Sequence, residues 1–201
     1  MALASLILPF LPLMPLQILI NNLLYDLSEI GIPFDSADAK SLAKPHAWNI
    51  GSVLGFTLIM GPLSSLFDIT TFVMLSTVFK ADVEVFRTAW FVESIATQIL
   101  VIFVIRTALP FWTSRPSPIL AATSLGALFG AIVLALTPLG RPLGFVPIPA
   151  SILAAIAGIT LTYLLVAEAV KPFATRWSPK GLHNPLHFRN SGALWGYLGL
   201  K

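Results

Sequence analysis

Cysteine is absent from this 201-residue sequence, and charged residues make up only 10% of it. Without cysteine the chain can form neither disulfides nor thiolate metal sites. Soluble domains carry roughly 25% charged residues, so the polar side chains present here could not cover a globular surface. The formal charge of +3 is small and scattered, and it gives no sign of nucleic-acid binding. These scarcities exclude an ordinary soluble domain.

What the sequence has in abundance is hydrophobic residues, at 56% of the chain with a mean hydropathy of +0.86. A helix that crosses the hydrocarbon core needs about 20 apolar residues. Lipid offers no partners to backbone groups, so spanning segments of this kind are helices. We therefore predict an all-α integral membrane protein, embedded in a lipid bilayer, with about five transmembrane helices. The predicted spans are residues 13–34, 53–79, 89–109, 118–138 and 150–170.

A shorter apolar run at residues 1–11 precedes the predicted spans. It lacks a basic start, and Pro9, Pro12 and Pro15 stand where a signal peptide would need small residues for cleavage. We interpret residues 1–12 as the end of a sixth, truncated helix and an outer turn. Residues 13–177 form one transmembrane domain. Residues 178–201 carry Gly, Pro, Asn and His without periodicity, which predicts a poorly ordered tail.

The basic residues predict an orientation, because Lys and Arg concentrate on the cytoplasmic side of membrane proteins. If the C-terminus is cytoplasmic, the cytoplasmic segments hold 9 of the 12 Lys and Arg residues, and the opposite side holds 3. The chain is therefore expected to be multi-pass with a cytoplasmic C-terminus. The first set is Lys40, Lys44, Arg106, Arg115, Lys171, Arg176, Lys180, Arg189 and Lys201, and the second is Lys80, Arg87 and Arg141.

Polar side chains in the first span are candidates for a cation site, because ionisable groups at membrane depth are costly and usually functional. At 100° per residue, Asn22, Asp26 and Glu29 fall within a sector of about 60°. Carboxylate and amide oxygens are the ligands that Mg²⁺ and Ca²⁺ prefer. The alternative is that these groups only hydrogen-bond neighbouring helices. Stacking on one face favours the cation site.

Further polar residues lie in the later spans. Asp68 is a ligand, a helix–helix anchor or a proton carrier, with anchoring slightly favoured. Glu93 is either functional or an interfacial residue near its helix end, and Gln98 lies deeper, where an amide needs a partner. Glu168, beside Lys171, is expected to be interfacial.

Residues 15–26, Pro-Leu-Gln-Ile-Leu-Ile-Asn-Asn-Leu-Leu-Tyr-Asp, resemble the sixth transmembrane helix of P-type cation-transporting ATPases. The family pattern there is Pro-x-Gln followed by Asn-x-x-x-Asp, and its Asn and Asp are cation ligands. The resemblance implies that role for Asn22 and Asp26. Calcium pumps have Thr before the Asp, whereas this chain has Tyr25, so calcium or another divalent cation is the alternative ion.

The finer resemblance is to the bacterial magnesium-importing branch and covers roughly residues 1–177. Residues 8–12 resemble the end of its fifth helix, 61–72 (Gly-Pro-Leu-Ser-Ser-Leu-Phe-Asp-Ile-Thr-Thr-Phe) its seventh, and 90–107 its eighth. The resemblance implies that the five spans match helices six to ten. It also implies that Mg²⁺ is the transported ion and that the chain lies in the bacterial inner membrane. The weaker ligand candidates are Glu93, Gln98, Asp68 and Glu29.

Two family motifs are missing, Asp-Lys-Thr-Gly-Thr and Gly-Asp-Gly-x-Asn-Asp. Phosphoryl transfer needs a positioned nucleophile and a phosphate cradle. We therefore expect no ATP site here, no hydrolysis by the chain alone, and a fragment without the actuator, phosphorylation and nucleotide-binding domains. A separate chain would supply those domains. The alternative is a non-transporting fragment or pseudogene product, or a membrane partner of an intact pump.

Overall fold

The computed structural model describes residues 10–35, 50–107 and 109–176. Residues 1–9 of the predicted truncated helix, most of the loop with Lys40 and Lys44, and the predicted tail lie outside these residues. The domain boundaries placed there therefore remain predictions.

Five helices and three short helical turns make up the described residues, which contain no strand. The prediction of an all-α protein is confirmed. Four helices are long and apolar enough to cross a membrane. The fifth, α1, has 15 residues and is about 22 Å long, so it is shorter than the predicted first span. The helices are α1 Pro15–Glu29, α2 Ile50–Val73, α3 Val83–Ile105, α4 Pro118–Leu136 and α5 Ala150–Arg176, with 3₁₀ turns at Ile32–Phe34 and Pro138–Leu143 and a π turn at Met74–Val78.

Helix α3 begins six residues before the predicted span, at Val83 rather than residue 89. The charged residues of this stretch led to its prediction as a loop. Asp82 occupies the N-cap position and Glu84 lies in the first turn, where negative charge favours a helix. The helix therefore begins before its apolar run does. Helix α5 likewise continues through Pro172 to Arg176.

Helix α3 is the centre of the bundle and the most buried of the spanning helices. Helices α1 and α4 pack together and against α3, and α2 and α5 pack together, with α5 also against α3. The fully buried side chains of Phe86, Phe91, Ile95 and Ile99 form the core along α3. The arrangement gives two helix pairs on different sides of one central helix.

Helix α1 approaches α4 closely at its C-terminal end. A Cβ on Gly31 would lie 2.5 Å from both the Leu120 Cα and the Thr123 Oγ1, so only glycine fits there. Next to it, the Ser28 carbonyl accepts hydrogen bonds from the hydroxyls of Thr123 and Ser124. These contacts fix the rotation of α1 about its own axis.

Candidate cation site

The predicted ligands of α1 lie on its open side. Asn22 and Asp26 are exposed, and Glu29 is half-buried. The same side carries the exposed Leu19 and Leu23. The sector of α1 that these polar groups share therefore faces away from the packed helices. No described helix covers Asn22 and Asp26.

The α1 residue that enters the bundle is Asn21, which the sequence reasoning did not select. Its Nδ2 donates to the Gln98 Oε1 at 3.4 Å, and the Gln98 Nε2 donates to the Ser94 hydroxyl at 2.7 Å. Asn21 is 6% exposed, and its Oδ1 has no hydrogen-bond partner among the described residues. The expectation that Gln98 needs a partner pointed to this contact, but resemblance favoured the neighbouring Asn22.

The first turn of α1 is held by Gln17, the glutamine of the Pro-x-Gln pattern. Its side chain is fully buried. The Oε1 accepts from the Met14 backbone at 3.0 Å, and the Nε2 donates to the carbonyls of Leu143 and Gly144 at 3.2 and 3.3 Å. Gln17 therefore ties the start of α1 to the connection between α4 and α5. We find a positioning role for it rather than an ion-binding one.

The other end of α1 is held by an ion pair between Asp35 and Arg106. The Arg106 Nη1 donates to the Asp35 Oδ2 at 2.7 Å, and the Ser117 backbone N–H donates to the Asp35 Oδ1 at 2.8 Å. Arg106 also donates to the carbonyl and hydroxyl of Ser114. Because the two charged side chains are only 7% and 11% exposed, this pair joins α1, α3 and the start of α4 firmly.

Asp68 and Glu93 lie in a different place from the α1 residues. Asp68 is half-buried on α2, and Glu93 is 1% exposed on α3. Glu93 and Gln98 are five residues apart on α3, which separates their directions by roughly 140°. The structure thus does not bring Asp68 and Glu93 together with Asn22 and Asp26. Glu93 is fully inside the bundle, not at the interface.

Glu168 forms an ion pair with Lys171 at 2.9 Å. The Lys171 Nζ also donates to the carbonyls of Val104 and Leu109, at 3.1 and 2.8 Å. Lys171 is only 2% exposed. The pair therefore caps the C-terminal end of α3.

The predicted ligands do not form a complete cation site among the described residues. Nowhere among them do three His, Cys, Asp or Glu side chains converge as a metal site. Asn22 and Asp26, one helical turn apart, offer an amide oxygen and a carboxylate, which suit a hard cation. A full coordination shell needs oxygen atoms from further segments or water.

Comparison with known proteins agrees with this architecture. The family described as "Cation transporting ATPase, C-terminus" matches residues 10–173. The chain is 40% identical over 176 residues to the "Magnesium-transporting ATPase, P-type 1" of Salmonella typhimurium strain LT2, covering 85% of this chain and 19% of that protein. It is 38% identical over 179 residues to the protein of the same description from Escherichia coli strain K12, covering 86% and 20%. The chain spans about one fifth of the length of the curated relatives it matches. It therefore belongs to the family of cation-transporting ATPase C-terminal regions, and it corresponds to the C-terminal transmembrane region of magnesium-transporting P-type ATPases.

Proposed function

We propose that this chain is the membrane-embedded cation-site part of a P-type ATPase that transports Mg²⁺, with Asn22 and Asp26 as ion ligands. ATP hydrolysis would be carried out by domains outside the described residues, on the remainder of the pump or on a separate chain. The proposed location is the bacterial inner membrane, with the C-terminus in the cytoplasm.

The observation that carries the proposal is the open polar face of α1. An Asp that faces lipid costs at most about 2.5–3.5 kcal/mol, the value for a helix centre, and Asp26 lies three residues before the end of α1. Helix α1 cannot rotate to hide Asp26, because Gln17, Ser28 and Gly31 hold its opposite side. We infer that further helices of the pump cover this face and that an ion balances the carboxylate there.

The choice of ion rests on ligand chemistry and on the relatives. Amide and carboxylate oxygens suit Mg²⁺ or Ca²⁺, whereas copper and zinc prefer sulfur or imidazole, and the chain has no cysteine. The relatives of this chain are described as magnesium-transporting. In this arrangement the Asn21–Gln98 hydrogen bond would hold α1 in register with α3 rather than bind the ion directly.

The experiment replaces Asp26 by Asn in an assembled pump in which this chain supplies the C-terminal helices. Loss of one carboxylate ligand should raise the Mg²⁺ concentration for half-maximal ATPase activity and uptake by at least about tenfold, equivalent to about 1.4 kcal/mol. The matched control is Asp82→Asn, since Asp82 is exposed at the N-cap of α3 and makes no capping hydrogen bond.

Folding of both variants is checked by size-exclusion chromatography in detergent. If Asp26→Asn folds and shows the Mg²⁺ dependence of the unaltered pump, Asp26 is not a ligand and the site assignment is wrong.

A further inference from the structure

Helices α2, α3 and α5 bring polar side chains to one depth on the side of α3 away from α1. Asp68 lies ten residues before the end of the π turn (68 to 78), Glu93 ten after the start of α3 (83 to 93), and Thr160 ten after the start of α5 (150 to 160). Ten residues of helix span about 15 Å, which is half of a hydrocarbon core of about 30 Å. The three groups therefore lie at a similar depth, about 15 Å from the ends of their helices.

The three helices also face each other at this level. Phe67 of α2 packs against Tyr163 of α5, with ring centroids 5.3 Å apart, and Phe72 of α2 packs against Trp90 of α3 at 4.8 Å. Asp68, between the two phenylalanines, lies beside the indole of Trp90 and near the Glu93 carboxylate. The two carboxylates thus occupy one interface.

The hydroxyl of Thr71 on α2 differs from those of its neighbouring threonines, because it lacks a hydrogen-bond partner among the described residues. Thr57, Thr70 and Thr77 each donate their hydroxyl to the carbonyl four residues earlier, as threonine in helices commonly does. Thr71 is fully buried, yet its hydroxyl has no partner within the described part of the chain. It lies three residues after Asp68, so the two side chains share a face.

The same pattern recurs on α5 and α3. Thr162 donates to the Gly158 carbonyl at 2.7 Å, whereas the buried Thr160 hydroxyl has no partner among the described residues and lines an apolar cavity between α3, α4 and α5. The Glu93 Oε2 is also buried and has no hydrogen-bond partner among the described residues. Buried polar atoms are nearly always hydrogen-bonded, so the unpaired oxygens of Thr71 and Glu93 indicate a missing ligand at the interface of α2 and α3.

We propose that this interface is a second divalent-cation site, separate from the face of α1, with Asp68 and Glu93 as its charged ligands and the Thr71 hydroxyl as a neutral one. Two carboxylates balance the two positive charges of the ion, which leaves a neutral site in a medium where net charge is costly. The oxygen-only donor set selects a hard ion such as Mg²⁺. Asp68 is half-buried, so the ion would enter past α2.

The test counts Mn²⁺ ions bound to this chain in nanodiscs of zwitterionic lipid, using the loss of the free-ion electron paramagnetic resonance signal. Mn²⁺ shares the oxygen preference of Mg²⁺. We expect Glu93→Gln and Asp68→Asn each to lose one bound ion per chain relative to the unaltered protein. Glu84→Gln, an exposed glutamate on the same helix, is expected to lose none, and Asp26→Asn is expected to retain the ion of this site.

A second measurement covers the case in which a variant misfolds. Mg²⁺ should raise the melting temperature of the unaltered chain, and this increase should be smaller in folded Glu93→Gln and in folded Asp68→Asn but unchanged in Glu84→Gln. The proposal is overturned if the unaltered chain shows neither a bound ion nor a thermal shift, or if folded Glu93→Gln binds as many ions as the unaltered chain. Either outcome would mean that the two carboxylates hold protons instead, and it would leave the role of Asp26 unaffected.

Discussion

Replacing Asp35 by Ala is expected to lower the unfolding free energy by about 3–5 kcal/mol, the range for breaking a buried ion pair by removing one partner. The Arg106 guanidinium would remain in a site where the two side chains are only 7% and 11% exposed. The Ser117 backbone N–H would lose its acceptor as well. Since this cluster joins α1, α3 and the start of α4, its loss should loosen the end of α1.

The measurement is the unfolding free energy of the chain in mixed micelles, by denaturing-detergent titration followed by circular dichroism. Arg106→Ala should give a loss of similar size, and the double variant should lose less than the sum, because the two residues share one interaction. Asp82→Asn, at an exposed N-cap position that asparagine suits equally well, should stay within about 0.5 kcal/mol of the unaltered chain. An equally small change in Asp35→Ala would show that the ion pair does not hold α1.

Replacing Lys171 by Met is expected to cost a similar amount, about 3–5 kcal/mol, because it leaves a nearly buried carboxylate without its counter-charge. The Lys171 Nζ donates to the Glu168 carboxylate and to the carbonyls of Val104 and Leu109. Methionine keeps most of the apolar volume of the lysine side chain, so the loss reports the polar contacts rather than packing.

The same titration measures this second effect, with Lys80→Met as the matched control, because Lys80 is exposed in the turn between α2 and α3. The double variant Lys171→Met/Glu168→Leu should recover part of the loss, since it removes both charges together. A Lys171→Met chain as stable as the control would contradict the view that Lys171 caps α3.

The sequence predicted the helices well because each spanning run is long and continuous, and lipid allows little besides helix for such runs. The predicted helix ends were wrong where a helix and its apolar run do not begin or end at the same residue. Charged residues at 82–87 suggested a loop, yet the first turn of α3 accommodates them at its N-terminal end. The length of α1 was overestimated for a related reason, since the apolar run 13–34 includes both the chain before Pro15 and the 3₁₀ turn Ile32–Phe34.

The candidate site was less predictable, because helix rotation decides which side chains enter the bundle. Asn21 and Asn22 are identical in type and adjacent, and only one of them meets Gln98. The rotation of α1 is set by contacts of Ser28 with residues 95 and 96 positions later and of Gln17 with residues 126 and 127 positions later. No local pattern in α1 encodes such distant contacts.

The face of α1 with Asn22 and Asp26 can be tested directly, because the chain has no cysteine and an introduced one is its only thiol. Leu23 is 56% exposed next to Asn22, and Leu161 on α5 is 59% exposed. Cysteine is placed at each position in an assembled pump that is otherwise free of cysteine. The rate of modification by a small water-soluble thiol reagent is then measured with and without Mg²⁺.

With Mg²⁺ at about ten times its dissociation constant, roughly a tenth of the sites stay empty, so modification of Leu23→Cys should slow about tenfold. Adding Asp26→Asn should remove this protection, and Leu161→Cys should stay unreactive throughout. A Leu23→Cys chain that is as unreactive as Leu161→Cys, or that reacts equally fast with and without Mg²⁺, would show that this face of α1 meets lipid or water rather than an ion.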